Sequence, residues 1–135
     1  MAFFVWSGLS CSNVEAGGET LIFVARNEDG TPTCSLVEDG IKTITRRLKP
    51  LPVGKVVAVQ PGRGCFAVCH VRVLSCMNSL EHFRLHKKNI CGYMKSEAYK
   101  EGFVSWRGLM SFFGENKICF NDTFRIEFEL VYNGK

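Results

Sequence analysis

The stretch KVVAVQPGRGCFAVCHVRVLSCM, residues 55–77, decides the fold class of this chain. Two runs rich in β-branched and other apolar residues lie on either side of PGRG (61–64), whose proline and glycines are typical of a tight turn. Such runs joined by a short turn predict an antiparallel β-hairpin with strands at 55–60 and 65–77. We therefore expect a sheet in which most neighbouring strands run antiparallel.

Three further stretches have strand patterns. In DTFRIEFELV (122–131), apolar residues alternate with charged ones, which predicts a strand with one buried and one solvated face. ETLIFVAR (19–26) and IKTITRRL (41–48) are rich in residues that favour strands. Together with the hairpin, these stretches predict about five or six strands.

Helical patterns are fewer. CSLVEDG (34–40) has room for one or two helical turns that stop at its glycine. In EGFVSWRGLMSFFGENK (101–117), aromatic and aliphatic residues recur at helical spacing before Gly114, which predicts a helix over 103–113. We expect Trp106 and Phe113 of this helix to pack inward.

The segment 79–100 lacks a clear period. It contains the basic run HFRLHKK (82–88), and its helical signals are weak. We interpret the basic run as a solvated loop, with phosphate binding through Arg84, Lys87 and Lys88 as the alternative.

Length and composition bound the class of protein. The chain has 135 residues, of which 46% are hydrophobic and 22% charged, as in ordinary globular domains, so we expect one domain over 1–135. The net charge of +4 permits an anionic partner without requiring one. No apolar run approaches the roughly 18 residues that span a bilayer, and MAFFVWSGLS (1–10) lacks the basic start of a signal peptide. These features predict a cytoplasmic protein with no membrane partner.

The cysteines are numerous but do not form paired C-x-x-C motifs. They are Cys11, Cys34, Cys65, Cys69, Cys76, Cys91 and Cys119. We expect reduced thiols that act as small apolar side chains, with no disulfide, metal or other cofactor. The alternative is a zinc site of Cys65, Cys69, His70 and Cys76, but Cys69 and His70 would face opposite sides of a strand.

The stretch GIKTITRR (40–47) concentrates polar and cationic groups in a predicted strand. A threonine hydroxyl such as that of Thr45 becomes a nucleophile when a base removes its proton, and Lys42 can be that base if burial or another cation lowers its pKa. Glu101 can orient the lysine. In a regular strand Lys42 and Thr45 would face opposite sides, so they converge only if Lys42 lies in the turn after Gly40 or beside a bulge. The alternative is an ordinary solvated strand face.

The order of these motifs resembles the ASCH domain, a family within the PUA-like superfamily of RNA-associated barrels. The resemblance rests on GIKTITRR after a short helix, PVG before a strand, EGF before an aromatic helix with FF, and RIEFE in the last strand. It covers about residues 20–132. It implies an α+β fold, a small PUA-like β-barrel of about five or six strands with one or two flanking helices. Residues 1–18 would then be an N-terminal extension.

The resemblance also implies a function. Some members of the family are amidohydrolases that deacetylate acetylcytidine with a lysine, a threonine and a glutamate, which fall here on Lys42, Thr45 and Glu101. Arg47 also matches the family pattern, whereas Arg46 stands where a small or aliphatic residue is common. We assign substrate binding to these two arginines and to Phe103, which could stack on a base.

Two function classes follow. The first is an amidohydrolase that acts on acetylcytidine or a related small amide. The second is a non-catalytic RNA-binding module, or a ribonuclease, in which Arg46, Arg47 and Lys49 hold phosphates at the same cleft. The expected partner is a nucleoside or single-stranded RNA, and the sequence carries no information on the oligomeric state.

Overall fold

The computed structural model describes residues 20–132, so the extension expected at 1–18 lies outside the described part of the chain. Within residues 20–132 the elements are five strands, four α-helices and two single turns of 3₁₀-helix. In chain order they are β1 (Thr20–Ile22), α1 (Thr33–Glu38), β2 (Ile44–Arg47), β3 (Val56–Gln60), β4 (Cys69–Asn78), α2 (Ser79–Leu85), a 3₁₀ turn (Lys87–Asn89), α3 (Ile90–Lys100), α4 (Trp106–Glu115), a 3₁₀ turn (Phe120–Asp122) and β5 (Phe124–Tyr132).

The strands form one curled half-barrel sheet in the order β1-β3-β4-β5-β2. Only β1 and β3 run parallel within the described chain, and the other neighbours are antiparallel. The predicted hairpin is present as β3 and β4, with Val57 opposite Val71. Irregularities in the pairing of β4 with β5, after His70 and after Val73, bend the sheet. The predicted α+β class is therefore confirmed.

The buried apolar residues of the described chain form two clusters. The larger one joins all strands except β2 to the buried Cys34 and Val37 of α1. The smaller one contains Phe103, Leu109 and Phe113, with Trp106 partly buried against it. The predicted helix begins at Trp106 rather than at residue 103, because the Ser105 side chain accepts a hydrogen bond from Gly108 N at 3.0 Å and caps it.

The expectation of a loop at 82–88 is wrong, because the segment 79–100 is mostly helical. Asparagine side chains cap both helices: Asn78 accepts a hydrogen bond from Glu81 N, and Asn89 accepts one from Gly92 N. The helix α3 buries Tyr93 and Glu97 together with Ala98. A helix that packs through a tyrosine and a carboxylate lacks the apolar stripe on which a pattern-based prediction depends.

The described cysteines are free thiols, and they divide by burial. Cys34 and Cys69 lie in the larger cluster, where burial raises the pKa of each thiol to about 11. Cys65, Cys91 and Cys119 are exposed, against the expectation of core packing. Within residues 20–132, no three His, Cys, Asp or Glu side chains are grouped to hold a metal ion. No helix in that range is both long and apolar enough to cross a membrane.

Candidate functional site

The backbone between α1 and β2 brings Lys42 to the site. Gly40 has φ of +75°, a conformation that favours glycine, and it turns the chain after α1. Lys42 N then donates to Leu36 O at 3.0 Å, and Thr43 N donates to Lys100 O at 2.9 Å. Because Lys42 precedes the regular strand, which begins at Ile44, the alternation of strand side chains does not separate it from Thr45.

The ammonium group of Lys42 is buried among oxygen acceptors. It donates to Glu101 O at 2.6 Å, to Ile44 O at 3.0 Å and to Glu101 Oε1 at 3.3 Å, and it lies 5.2 Å from the centre of the Phe23 ring. Burial lowers the pKa of Lys42 to about 8; Glu101 opposes this shift, and Arg47 and Arg46 add to it. A large fraction of this lysine is therefore neutral near pH 8.

Glu101 lies at the end of α3, and its carboxylate bridges two cations. Oε1 accepts from Lys42, and Oε2 accepts from Arg46 Nη1 at 2.8 Å. The next residue, Gly102, has φ of +91°, and a Cβ at that position would lie 3.2 Å from Leu36 Cδ1 and 3.5 Å from Lys42 Cδ. The absence of a side chain at Gly102 thus leaves space for the aliphatic part of Lys42 beside the Glu101 carboxylate.

Thr45 lies on the opposite face of β2 from Arg46 and is 4% exposed. It pairs across the sheet with Ile126 of the larger apolar cluster. Its Oγ1 accepts a hydrogen bond from Arg47 Nε at 3.1 Å, and Arg47 Nη2 donates to Ile22 O at 3.0 Å.

Phe23, which is not among the site residues expected from the sequence, connects Lys42 and Arg47. The guanidinium carbon of Arg47 lies 4.8 Å from the centre of its ring, on which Lys42 also packs. Both are cation–π contacts. In the sequence Phe23 is one of several apolar residues in a predicted strand, so no pattern distinguishes it from an ordinary core residue. Lys42 and Arg47 thus pack on one buried ring, and Thr45 is connected to them through its hydrogen bond from Arg47.

Arg46 is enclosed by protein groups, with its side chain 0% exposed. Its Nε donates to Ser79 Oγ at 3.1 Å, and its Nη2 donates to Glu97 Oε1 at 2.7 Å and to Tyr93 Oη at 3.3 Å. Its guanidinium also lies 4.9 Å from the centre of the Phe120 ring. Its guanidinium faces protein side chains, and its expected contact with a substrate stays a prediction.

An alternating row of buried charges extends from Lys42 along α3. Tyr93, Glu97 and Glu101 are spaced four residues apart and therefore share one side of the helix. Glu97 accepts from Arg125 Nε at 2.6 Å and from Arg125 Nη2 at 3.0 Å, in addition to its bond from Arg46. Although burial raises the pKa of Glu97, hydrogen bonds and charge from the two arginines lower it below its usual value. We call Lys42, Glu101, Arg46, Glu97 and Arg125 the buried charge row.

Phe103 packs in the smaller apolar cluster. It is 6% exposed, and the centre of its ring lies 5.5 Å from that of Phe112. Phe103 therefore packs against Phe112, and the ring beside Lys42 and Arg47 is that of Phe23. Stacking of Phe103 on a base stays a prediction. Both Phe103 and Phe112 border a small cleft of about 370 Å³ that also contains Glu28.

A larger open cleft of about 650 Å³ runs beside α3 and contains part of the basic run. Its lining includes Lys88 and Lys100 as well as the stacked rings of His86 and Tyr93, whose centres are 5.0 Å apart. Burial, together with the charge of Arg125, lowers the pKa of His82 in this cleft to about 4. Glu97 and Arg125 also border the cleft, so it adjoins one end of the buried charge row.

Comparison with known proteins gives a fold relationship. No family model matches the chain, and no curated protein matches it. A solved structure that it resembles is the crystal structure of protein EF3133 from Enterococcus faecalis V583, which is assigned to the family DUF984. The identity is 15%, the TM-score is 0.50, and the match covers 84% of this chain and 77% of that chain. At this identity the likeness supports the half-barrel fold alone.

Proposed function

We propose that the chain is an ASCH-type amidohydrolase that removes the acyl group from acetylcytidine or a closely related small amide. The observation that carries the proposal is the buried contact of Lys42 Nζ with Glu101 Oε1 at 3.3 Å. A lysine whose pKa lies near 8 can accept a proton at physiological pH. Thr45 in the strand that follows supplies a hydroxyl, which accepts a hydrogen bond from Arg47.

The reaction assigned to these groups has two stages. Thr45 Oγ1 attacks the amide carbonyl carbon, and its proton passes to the neutral Lys42 Nζ. Lys42 then gives the proton to the leaving exocyclic amine as the C–N bond breaks, which releases cytidine and leaves an acyl ester on Thr45. Lys42 then removes a proton from water as the water oxygen attacks the ester carbonyl carbon. The C–O bond to Thr45 breaks, Thr45 Oγ1 takes the proton from Lys42, and the acetic acid formed leaves as acetate. Glu101 holds the lysine in place, and Arg47 fixes the threonine hydroxyl through the 3.1 Å hydrogen bond.

Access of a substrate requires movement of the protein. Lys42, Thr45 and Glu101 are 3%, 4% and 3% exposed, so a nucleoside reaches them only if a covering segment moves aside. Substrates that are larger than a nucleoside should therefore react more slowly, which separates this proposal from hydrolysis within folded RNA.

The direct test is incubation of the purified chain with acetylcytidine and, separately, with single-stranded RNA, followed by chromatography of cytidine and of RNA fragments. We expect cytidine and acetate in equal amounts and intact RNA. Thr45→Val should remove hydrolysis, whereas Thr43→Val, a matched change two residues earlier, should retain it. Absence of cytidine release from the folded wild-type chain, or full activity in Thr45→Val, would exclude the proposal.

A second candidate function, non-catalytic binding of single-stranded RNA, is supported by the charge of the cleft beside α3. Among the described residues lining it, Glu97 is neutralised by Arg46 and Arg125, and Glu127 lies 3.6 Å from Arg125. Lys88 and Lys100 form no ion pair with any residue in 20–132 and leave the cleft positive. Exposed His86 offers a ring on which a base could stack.

Salt dependence tests this second candidate. If the cleft binds phosphates, changing both Lys88 and Lys100 to Gln should weaken binding of a fluorescent oligonucleotide and reduce the slope of log K against log salt by about 1.4. The matched control changes Lys95 and Lys117, which are exposed and lie outside that cleft, to Gln. If both double variants lost the same amount of oligonucleotide affinity, binding would be non-specific electrostatic attraction and not binding at this cleft.

A further inference from the structure

The two oxygens of the Glu101 carboxylate have different partners. Oε1 faces Lys42 Nζ at 3.3 Å, and Oε2 accepts from Arg46 Nη1 at 2.8 Å. A glutamate side chain has three rotatable bonds, so a single contact with the flexible lysine would leave the carboxylate several orientations. The guanidinium removes this freedom, because its planar fork directs each N–H bond.

Arg46 is itself fixed from several directions. Ser79 at the start of α2 and Glu97 in α3 accept from two of its nitrogen atoms, and Phe120 lies against the guanidinium plane. Ser79 Oγ is in turn 2.7 Å from Thr123 Oγ1. The position of Arg46 Nη1, and hence of Glu101 Oε2, is therefore set by elements distant in sequence.

Arg125 provides an internal comparison. It lies opposite Arg46 in the pairing of β2 with β5, and it also binds Glu97 of α3. Both arginines thus attach α3 to the sheet, but the contact with Glu101 belongs to Arg46. If Arg46 only stabilised the fold, loss of Arg46 and loss of Arg125 would have the same effect on the pKa of Lys42 and on catalysis, whatever each costs in stability.

We propose that Arg46 is a positioning residue for the Lys42–Glu101 pair, holding one carboxylate oxygen so that only the other one engages the lysine ammonium group. The inference deepens the proposed function, on which its rate measurement depends. Arg46 stands where a small or aliphatic residue is common in ASCH domains, so the resemblance does not assign it this role.

The proposal has a measurable electrostatic consequence. The charged groups that act on Lys42 are Glu101, which favours its protonated form, and Arg47 and Arg46, which disfavour it. Without Arg46, one cation is lost and Glu101 interacts with Lys42 alone. Both changes favour protonated Lys42, so its pKa should rise.

The experiment compares Arg46→Met with Arg125→Met. For each protein the pKa of Lys42 is measured by the pH dependence of its acetylation with trace acetic anhydride, read by peptide mass spectrometry, and kcat is measured across pH with acetylcytidine. We expect Arg46→Met to raise the Lys42 midpoint by about one pH unit, which lowers the neutral fraction and kcat at pH 8 about fivefold. Arg125→Met should reduce thermal stability to a similar degree while leaving the labelling midpoint unchanged.

The two measurements separate the possible failures. A shifted labelling midpoint without any hydrolysis by the wild-type chain supports the role of Arg46 and overturns the proposed reaction. Hydrolysis with equal midpoints in Arg46→Met, Arg125→Met and wild type overturns the role of Arg46 and leaves the reaction intact.

A second variant covers failure of Arg46→Met to fold. Arg46→Lys retains the charge but lacks the fork that joins Glu97 to Glu101, so we expect a labelling midpoint close to that of wild type and a kcat at least threefold lower at every pH. Wild-type kcat in Arg46→Lys would show that the carboxylate needs no guanidinium to hold it, and would overturn the proposal.

Discussion

Lys42 and Glu101, separated by 59 residues, are joined twice: Lys42 Nζ donates to the main-chain oxygen of Glu101 at 2.6 Å and to its carboxylate at 3.3 Å. The main-chain bond ties the amine to the end of α3 regardless of how the carboxylate turns. The side-chain bond brings a carboxylate close to the amine, and its effect on the pKa of Lys42 depends on how much of its charge Arg46 compensates. Position and acidity of the lysine are thus controlled by separate contacts.

The rate of acetylcytidine hydrolysis should rise with pH around a midpoint near 8. The proposed base is neutral Lys42, whose pKa is lowered to about 8 by burial. A profile of kcat/KM from pH 6 to 10 measures this midpoint. A rate that is flat between pH 7 and 9 would show that no group of this pKa acts as the base.

The same lysine should make stability depend on pH. Between about 8, its folded pKa, and 10.5, its ordinary value, the unfolded chain holds a proton on Lys42 that the folded chain lacks. The free energy of unfolding contributed by this group therefore rises as pH increases through that window. Urea titrations at pH 8 and pH 10 should show the rise in wild type and a smaller one in Lys42→Met.

Alanine substitution of Lys42, Thr45 or Glu101 should each remove most of the hydrolytic activity, and double substitutions should cost little more than single ones. Groups that act as one unit lose their effect together. Measured kcat/KM values for the singles and the Lys42–Thr45 double test this expectation. Multiplicative losses in the double variant would indicate independent roles.

Arg47→Ala should lower kcat as well as raise KM. The sequence suggested that this guanidinium only holds the base or a phosphate, but it donates to Thr45 Oγ1 at 3.1 Å and packs on Phe23. Its loss frees the hydroxyl to rotate away from the amide carbonyl. A change in KM alone would restore the simpler role in binding.

Glu97→Ala should destabilise the fold by about 3–5 kcal/mol, because it leaves Arg46 and Arg125 buried without their shared anion. The matched control is Glu129→Ala. That residue pairs with Arg72 at 3.3 Å on the surface, where both side chains are nearly half exposed, so its loss should cost less than about 1 kcal/mol. Equal costs by denaturant titration would contradict the assignment of Glu97 to a buried network.

The sequence predicted the sheet better than it predicted the helices. Alternation in 122–131 and the turn at 61–64 report backbone geometry directly, so β5 and the hairpin of β3 and β4 were identified. The helix α3 was missed because its buried side contains Glu97 and Tyr93, and polar residues of these types are ordinarily expected to face solvent.

The candidate site was likewise predictable from the sequence only in part. The contact between Lys42 and Glu101 agrees with the motif order, and the turn after Gly40 is one of the two geometries that the sequence allowed; their catalytic role stays a prediction. The environment of Arg46 was not predictable from β2, because its partners Ser79, Tyr93 and Glu97 come from the segment 79–100, which had no recognisable pattern. Local sequence encodes the strand, and tertiary packing decides which groups its side chains meet.

The buried charge row also bears on how the chain selects its strand register. β2 is a four-residue edge strand bonded to β5 alone within the described sheet. A slip of one residue would turn Arg46 toward the apolar cluster and Thr45 toward Glu97. The number of backbone hydrogen bonds is nearly the same in the two alignments. The slipped one is strongly disfavoured because it would bury Arg46 and Glu97 without their ion-pair partners. If Arg46, Glu97 and Arg125 were all made apolar, we would expect a stable chain whose β2 amides give two sets of NMR signals; a single set would show that the turn at Gly40 suffices.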